Sequence, residues 1–430
     1  MLRNSPPGAC LIRLLRLGLL ATLLASCGTK SPDLPRPGPT PTPTPRPGTT
    51  LPPPQVVTPI PTITRAATPS PPAGTSLTLA DFWDGHAHFV LQEQYTGLPM
   101  GESDTIALSN GELWSYMHSS SQHPAGTIDQ CGNPVPFPGC TVIYRSSDGG
   151  YRFQHANPPV CQFTCQQCPC NSENDHIEQQ QYPRVHYDAA TQTLYLVYEY
   201  LGRTMLRTSS DGLNWSRPER VAQTGIWKTW LMPCPAAEHI GQHPFVPYDY
   251  ECLAGGPPGI YVADGLVYVF VAVGQSPAGM GCYVGRTGQP PGEFQRCASN
   301  PLFRGAAEYG PLDLTGRAAN PYFDFRTISA AEIIRLGEGD EARYYMLYEG
   351  LRGPGPGDNG DTQFGLGLAR SLTNQIDGPW ETYPGNPILA DLPGNVGLGH
   401  ADLVVYNGQT ILYTSLDGVF RSRLLLVGTP

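Results

Sequence analysis

A weak unit recurs five times after residue 100: a polar or acidic leading residue, a short apolar run, a tight turn, and a second run rich in aromatics. The copies begin at Ser103-Asp104-Thr105-Ile106, Tyr182-Pro183-Arg184-Val185, Pro257-Pro258-Gly259-Ile260, Ala331-Glu332-Ile333-Ile334 and Ala401-Asp402-Leu403-Val404. Their second runs span Leu113 to His118, Leu194 to Tyr200, Leu266 to Val273, Tyr344 to Glu349, and Ile411 to Ser415. Short β runs repeating every ~60 to 80 residues, without amphipathic helices between them, are what radially arranged blades require. The sequence predicts an all-β chain forming a five-bladed β-propeller.

The last copy stops at Pro430, one strand short, and Asp84-Gly85-His86-Ala87-His88-Phe89-Val90 just ahead of the first copy is expected to supply it. Copies one and two close with Ser146-Ser147-Asp148-Gly149-Gly150 and Ser209-Ser210-Asp211-Gly212, in which the Asp can bond nearby backbone N–H groups and Gly accepts positive φ. These read as structural hairpins. Asn300-Pro301-Leu302-Phe303 and Asn386-Pro387-Ile388-Leu389 read as exits from blades three and four. Asp84-x-His86-x-His88 resembles the start of metal-dependent amidohydrolases, but nothing downstream alternates strand with helix as their barrel requires.

The first 75 residues are of another kind. Arg3, Arg13 and Arg16 precede the apolar run Leu17 to Leu24, too short to span a bilayer and suited to the core of a signal peptide. It ends in Leu24-Ala25-Ser26-Cys27-Gly28, which resembles the bacterial lipobox, with Cys27 as the lipidated residue and mature N-terminus. Residues 31–74 hold 16 prolines, a composition for a stiff polyproline spacer. The expected organisation is a signal peptide over 1–26, a lipidated linker over 27–76 and the propeller over 77–430. The expected location is the outer face of a bacterial cell membrane, to which Cys27 anchors a monomer.

Charge excludes one class of partner. Residues 1–75 carry seven basic and one acidic side chain, which leaves 19 basic against 35 acidic beyond them, or −16. Only two lysines occur, Lys30 and Lys228, so nucleic acid is not expected as a partner. Beyond Cys10 and Cys27, ten cysteines remain, which in an oxidising compartment suggests disulfides. Proximity suggests Cys131 with Cys140, Cys234 with Cys252, and Cys282 with Cys297. Cys161, Cys165, Cys168 and Cys170 form either two local disulfides or, with cramped spacing, a zinc tetrathiolate.

The leading Asp104, the string Gly399-His400-Ala401-Asp402, and the blade Tyr344-Tyr345-Met346-Leu347-Tyr348-Glu349-Gly350 with Gly365-Leu366-Gly367-Leu368-Ala369-Arg370-Ser371 resemble the five-bladed propeller glycosidases. That group includes arabinanases, xylosidases, levansucrases and invertases. The resemblance covers about residues 80 to 430. It implies a central funnel with a base Asp from blade one, a second Asp from blade two, an acid Glu from blade three, and a blade-five His near an axial calcium or water. Arg184 stands in place of the second Asp, and Gly255-Gly256-Pro257-Pro258 in place of the acid, while Glu332 leads blade four.

The expected site is therefore one axial pocket of Asp104, Arg184, Glu332, His400 and Asp402. Asp104 would activate water, Glu332 would act as the acid, with Glu251 an alternative, and His400 with Asp402 would support a structural Ca²⁺ or water. No cofactor is otherwise required. Trp227 and Trp230, in the long insert between blades two and three, are expected to help bind carbohydrate on the rim. Three readings follow: a surface-tethered glycoside hydrolase acting on poly- or oligosaccharide, a non-catalytic carbohydrate-binding propeller, and a sialidase-like enzyme. The last is suggested by the match of Ser146-x-Asp148-x-Gly150-x-x-Phe153 to an Asp-box turn.

Overall fold

The computed structural model describes residues 76–119, 140–156, 180–200, 203–222, 224, 254–274, 278–305, 323–324, 327–352, 363–390, 398, 400–416 and 419–429. Within the unit Pro71–Pro430 these residues form five antiparallel sheets, the five blades of a β-propeller. Blade one contains β2 (Ser103–Ala107), β3 (Leu113–Ser119), β4 (Cys140–Ser146) and β5 (Gln154–Ala156). Blade two contains β6 (Gln181–Asp188), β7 (Thr193–Tyr200), β8 (Arg203–Ser209) and β9 (Glu219–Arg220). Blade three contains β10 (Ala254–Ala263), β11 (Leu266–Val273), β12 (Gly279–Arg286), β13 (Gln295–Arg296) and β14 (Phe303–Arg304). Blade four contains β15 (Thr327–Leu336), β16 (Arg343–Arg352), β17 (Gln363–Ser371), β18 (Trp380–Thr382) and β19 (Leu389–Ala390).

Blade five is closed by the two ends of the chain. β20 (Asp402–Tyr406), β21 (Gln409–Ser415) and β22 (Arg421–Gly428) come from the C-terminal end, and β1 (Ala87–Glu93) adds the outermost strand. His88 lies opposite Val427 and Val90 opposite Leu425, so the strand expected at His86 to Val90 does complete the last blade. His88 is an exposed residue of this outer strand, far in the sheet order from the innermost β20.

Each blade is buried on both faces, which is why the second runs are apolar without alternation. Leu266–Val273 is buried from Val267 onward. Five hydrophobic clusters occupy the five seams between neighbouring blades. Trp114 and Tyr116 meet Leu196 between blades one and two, and Val197 meets Val269 between two and three. Phe270 meets Ile333 between three and four, Leu347 meets Leu412 between four and five, and Leu113 meets Tyr413 between five and one.

Polar latches reinforce two of these seams. Tyr116 of β3 donates to the Gly212 carbonyl of the next blade at 3.2 Å, and Tyr413 of β21 donates to the Gly150 carbonyl at 3.1 Å. Both acceptors lie in the Ser-Asp-Gly turns. There Asp148 Oδ1 accepts from the N–H groups of Tyr151 and Arg152, each at 3.0 Å. Asp211 Oδ1 likewise accepts from Leu213 and Asn214 at 2.9 and 2.7 Å. A side chain at Gly150 or Gly212 would collide with the tyrosine that latches there, so these glycines serve both the positive φ and the seam. The Asp-box match is thus a turn that also joins blades.

Cys282 and Cys297 form the expected disulfide, with Cα atoms 5.3 Å apart. Asn300 accepts from the Cys282 N–H at 2.8 Å, and Asn386 accepts from Leu368 at 2.9 Å, so the two Asn-Pro exits tie equivalent points of blades three and four. Cys27, Cys131, Trp227, Trp230, Cys234, Glu251, Cys252 and the Cys161 to Cys170 cluster lie outside the described residues.

Candidate active site

The first strand of each blade leads toward the axis, and one position of that strand is equivalent in all five blades. Asp104 stands four residues before Leu108, whose N–H bonds Glu112 to close the first hairpin. Arg184, Gly259, Glu332 and Asp402 stand the same distance before the last pairs at Asp188, Ala263, Leu336 and Tyr406. Four of these five are the expected site residues. Blade three offers only Gly259, where an added Cβ would come within 2.4 Å of the Ala331 carbonyl oxygen of blade four. Blades three and four approach too closely there for any side chain.

Arg184 organises this axial tier. Its Nη1 lies 3.5 Å from Asp104 Oδ1 and 3.5 Å from Glu332 Oε2, and donates to the Ser103 carbonyl at 3.3 Å. Its Nη2 donates to the Ala330 carbonyl at 3.0 Å. Asp104 Oδ2 also accepts from the Val185 N–H at 2.5 Å. The Asp104 and Glu332 carboxyls share Arg184 Nη1, each 3.5 Å from it, and act strongly on each other. Burial, opposed by Arg184 and reinforced by the charge of Asp402, raises Asp104 to about 6. Burial and the neighbouring Asp104 raise Glu332 well above the ordinary carboxyl range. The pair therefore titrates as one unit sharing a proton.

Asp402 plays the same latching part as Asp104. Its Oδ1 accepts from the Thr105 N–H at 2.9 Å, and its Oδ2 accepts from the hydroxyls of Ser103 and Thr105 at 2.6 and 2.8 Å. In both seams, the Asp of one blade receives the N–H one residue past the equivalent position of the next. Both oxygens of Asp402 already face donors. Among the described residues no three His, Cys, Asp or Glu side chains are arranged to hold a metal ion. His400 and Asp402 thus do not fit the calcium expected of them, because a hard cation needs several unclaimed oxygens.

A second tier is built by the residues two places before Asp104, Arg184 and Asp402; Glu102 and His400 directly precede their strands, and Tyr182 sits at positive φ in a bulge of β6. It holds Glu102, Tyr182 and His400, joined by Glu349 from β16. His400 Nδ1 lies 2.7 Å from Glu349 Oε2, outside hydrogen-bond alignment, and Nε2 lies 3.9 Å from Glu102 Oε1. The His400 ring packs edge-on against Tyr182, centroids 4.9 Å apart. Burial would raise Glu102, but the hydrogen bond from His118 and the charges of His400 and His118 prevail and hold it at about 2. Tyr182 is pushed above the ordinary phenol range by burial and by Glu102, Glu199 and Glu349.

Beneath both tiers Arg421 is fully buried. It donates to the carbonyls of Gly101, His400 and, at 2.6 Å, Tyr413. Burial lowers it to about 10, against the pull of Asp402, Glu102 and Glu349. It fixes the backbone next to Glu102 and at His400 while placing a positive charge behind the carboxylates.

Of the expected residues, Asp104 and Glu332 contact Arg184, Asp402 bonds Ser103 and Thr105 on either side of Asp104, and His400 stands two residues before Asp402. Glu102, Tyr182, Glu349 and Arg421 were not singled out from the sequence. Glu102 and Tyr182 were legible, since each lies two places before a ring residue in the sequence. Glu349 and Arg421 carry no comparable signal; Glu349 follows an aromatic and apolar run, and Arg421 opens a strand whose third residue is another arginine, Arg423.

No protein-family model matches this chain, and no curated protein does. Among solved structures, the α-L-arabinofuranosidase from Podospora anserina in complex with cellotriose aligns with a TM-score of 0.43 at 13% identity, covering 80% of this chain and 97% of that one. A thermostable family-43 glycoside hydrolase aligns with a TM-score of 0.44 at 15% identity, covering 79% and 92%. The xylan β-1,4-xylosidase of Bacillus halodurans aligns with a TM-score of 0.40 at 15% identity, covering 79% and 54%.

Proposed function

We propose that the funnel binds a poly- or oligosaccharide and hydrolyses a glycosidic bond. The observation that carries this reading is the carboxyl cluster around Arg184, where Asp104 and Glu332 each lie 3.5 Å from Nη1, with Glu102 two residues before Asp104; within it Glu332 is raised and Glu102 is lowered to about 2. Glycoside cleavage needs both states at once, an acid to protonate the leaving oxygen and a carboxylate to meet the positive charge building at the anomeric carbon. In this reading Glu332 is the acid. Asp104, the expected water-activating base, shares Arg184 Nη1 with Glu332, accepts the Val185 N–H and is only 4% exposed, which leaves it poorly placed to activate water. It serves instead to hold the proton on Glu332, and Glu102 is the partner. Glu102 and Glu332 are also more accessible than the carboxyls beside them, with side chains 24% and 17% exposed against 5% for Glu349 and 4% for Asp104.

Release of sugar from arabinan, xylan and fructan oligosaccharides by the wild type, Glu332→Gln and Glu102→Gln tests this. Each substitution is expected to lower turnover about 10²- to 10⁴-fold. The near-complete burial of Asp104, Arg184, Glu349 and His400 favours a second reading, a propeller that binds carbohydrate without cleaving it. Wild-type binding without release would select that reading.

The head is proposed to be tethered through a lipidated Cys27, the spacer over 31–74 holding it away from an outer membrane face. Cys27→Ala is expected to shift the protein from the membrane fraction to the medium, and mass spectrometry of the mature N-terminus should find the lipid. A wild-type protein found free and unmodified in the medium would end this part of the proposal.

A further inference from the structure

The segment joining β1 to β2 crosses one end of the propeller from rim to axis. β1 is the outermost strand of blade five and β2 the innermost of blade one, so residues 94–102 run radially, and they end at Glu102. Thr96 and Leu98 point inward and are fully buried, whereas Tyr95 is 51% and Met100 42% exposed. The lead-in to β22 lies alongside. Met100 N–H donates to the Val419 carbonyl at 2.9 Å, Arg421 N–H to Leu98 at 2.9 Å, and Thr96 Oγ1 to the Arg421 carbonyl at 2.6 Å. Pro99 bridges to Phe420, and the Tyr95 and Phe420 rings meet edge-on at 5.9 Å. Val419 is 58% exposed.

Tyr95, Val419 and Met100 therefore form a row of exposed apolar groups on a backbone stitched along its length, leading from the rim to the carboxylate. Contiguous exposed apolar surface mostly marks an interaction site. Here the row is continuous with the funnel at its inner end. Arg152 flanks its outer end, pairing with Glu93 at 2.9 Å and donating to the Tyr95 carbonyl at 2.6 Å. An aromatic with apolar neighbours and a few fixed polar groups suits the alternating C–H and hydroxyl surfaces of a sugar chain. The excess of acidic residues beyond residue 75, 35 against 19 basic, opposes both an anionic glycan and an anionic bilayer.

We propose that this radial row holds the sugar units that lie outside the funnel, so that the ligand is a neutral saccharide chain of several units running from axis to rim over the seam of blades five and one. The proposal rests on the funnel reading above, and chain length separates the two. Calorimetric titration would use two-unit and six-unit xylo-, arabino- and fructo-oligosaccharides with the wild type, Tyr95→Ala and Val419→Ser. Thermal melts would confirm that these surface variants fold. Wild type is expected to favour the six-unit ligand, and Tyr95→Ala to lose about tenfold in affinity for it, the size of one anchoring aromatic, with the two-unit affinity unchanged. Equal losses for both lengths, or no loss, overturn the radial row while leaving the funnel reading intact. Wild type that binds no saccharide of either length overturns both. Binding to phosphatidylcholine vesicles that Tyr95→Ala abolishes would assign the row to a membrane instead and overturn it too.

Discussion

The two tiers of the funnel lie two residues apart along the entries of the innermost strands, yet Glu332 of one is raised and Glu102 of the other is lowered. The tier of Asp104, Arg184 and Glu332 buries two carboxyls against one guanidinium, and one cation cannot satisfy both as anions. One keeps its proton. The tier of Glu102, His400 and Glu349 has imidazoles beside Glu102 and Arg421 behind it, so Glu102 stays ionised. Burial alone does not decide protonation here; the ratio of cations to carboxyls does. Placing the tiers side by side gives a single axis the two protonation states that acid-assisted bond cleavage requires.

The largest expected effect comes from removing the cation of the first tier. Arg184→Met leaves Asp104 facing Glu332 without compensation and frees the Ser103 and Ala330 carbonyls, and it should destabilise the propeller by about 3 to 5 kcal/mol in denaturant unfolding. The triple replacement Arg184→Met, Asp104→Asn, Glu332→Gln should cost less than Arg184→Met alone, because no buried charge is then stranded. If the single and triple variants unfold alike, Arg184 contributes only packing and the contrast between the tiers is wrong.

Much of this was legible before any coordinates. The fivefold unit fixes the blade count, and the short last copy calls for closure by the strand at His86 to Val90, because a propeller cannot leave its final sheet incomplete. The polar residues leading each unit mark the axis, since equivalent positions of every blade face it. Roles within the axis were not legible. Whether Asp104 is a free base or a latch depends on the Val185 N–H and on Glu332, which arrive from positions 81 and 228 residues away in sequence. Asp402 illustrates the same point: read as an ion ligand, it is spent on Ser103 and Thr105, nearly 300 residues earlier. Blade three's glycine, a gap in the site when read along the chain, is a close contact between Gly259 and Ala331 that excludes a carboxylate.

The finest test of the contrast is the sign of the pH dependence of stability in each tier. Asp104 is raised from its ordinary 3.8 to about 6, so its contribution is fully present below 3.8 and is lost as pH rises through about 6. Glu102 is lowered from 4.5 to about 2, so its contribution is present above 4.5 and is lost as pH falls through about 2. Stability measured against pH should therefore climb from 2 to 4.5 on account of Glu102 and decline from 3.8 to 6 on account of Asp104. Glu102→Gln should flatten the climb and leave the decline; Asp104→Asn should do the reverse. Glu332→Gln serves as the control: the Glu332 side chain lowers Asp104, so its replacement should move the Asp104 decline to higher pH rather than abolish it. If both single variants flatten the same limb, the tiers titrate as one network, and assigning separate acid and carboxylate roles to Glu332 and Glu102 fails with them.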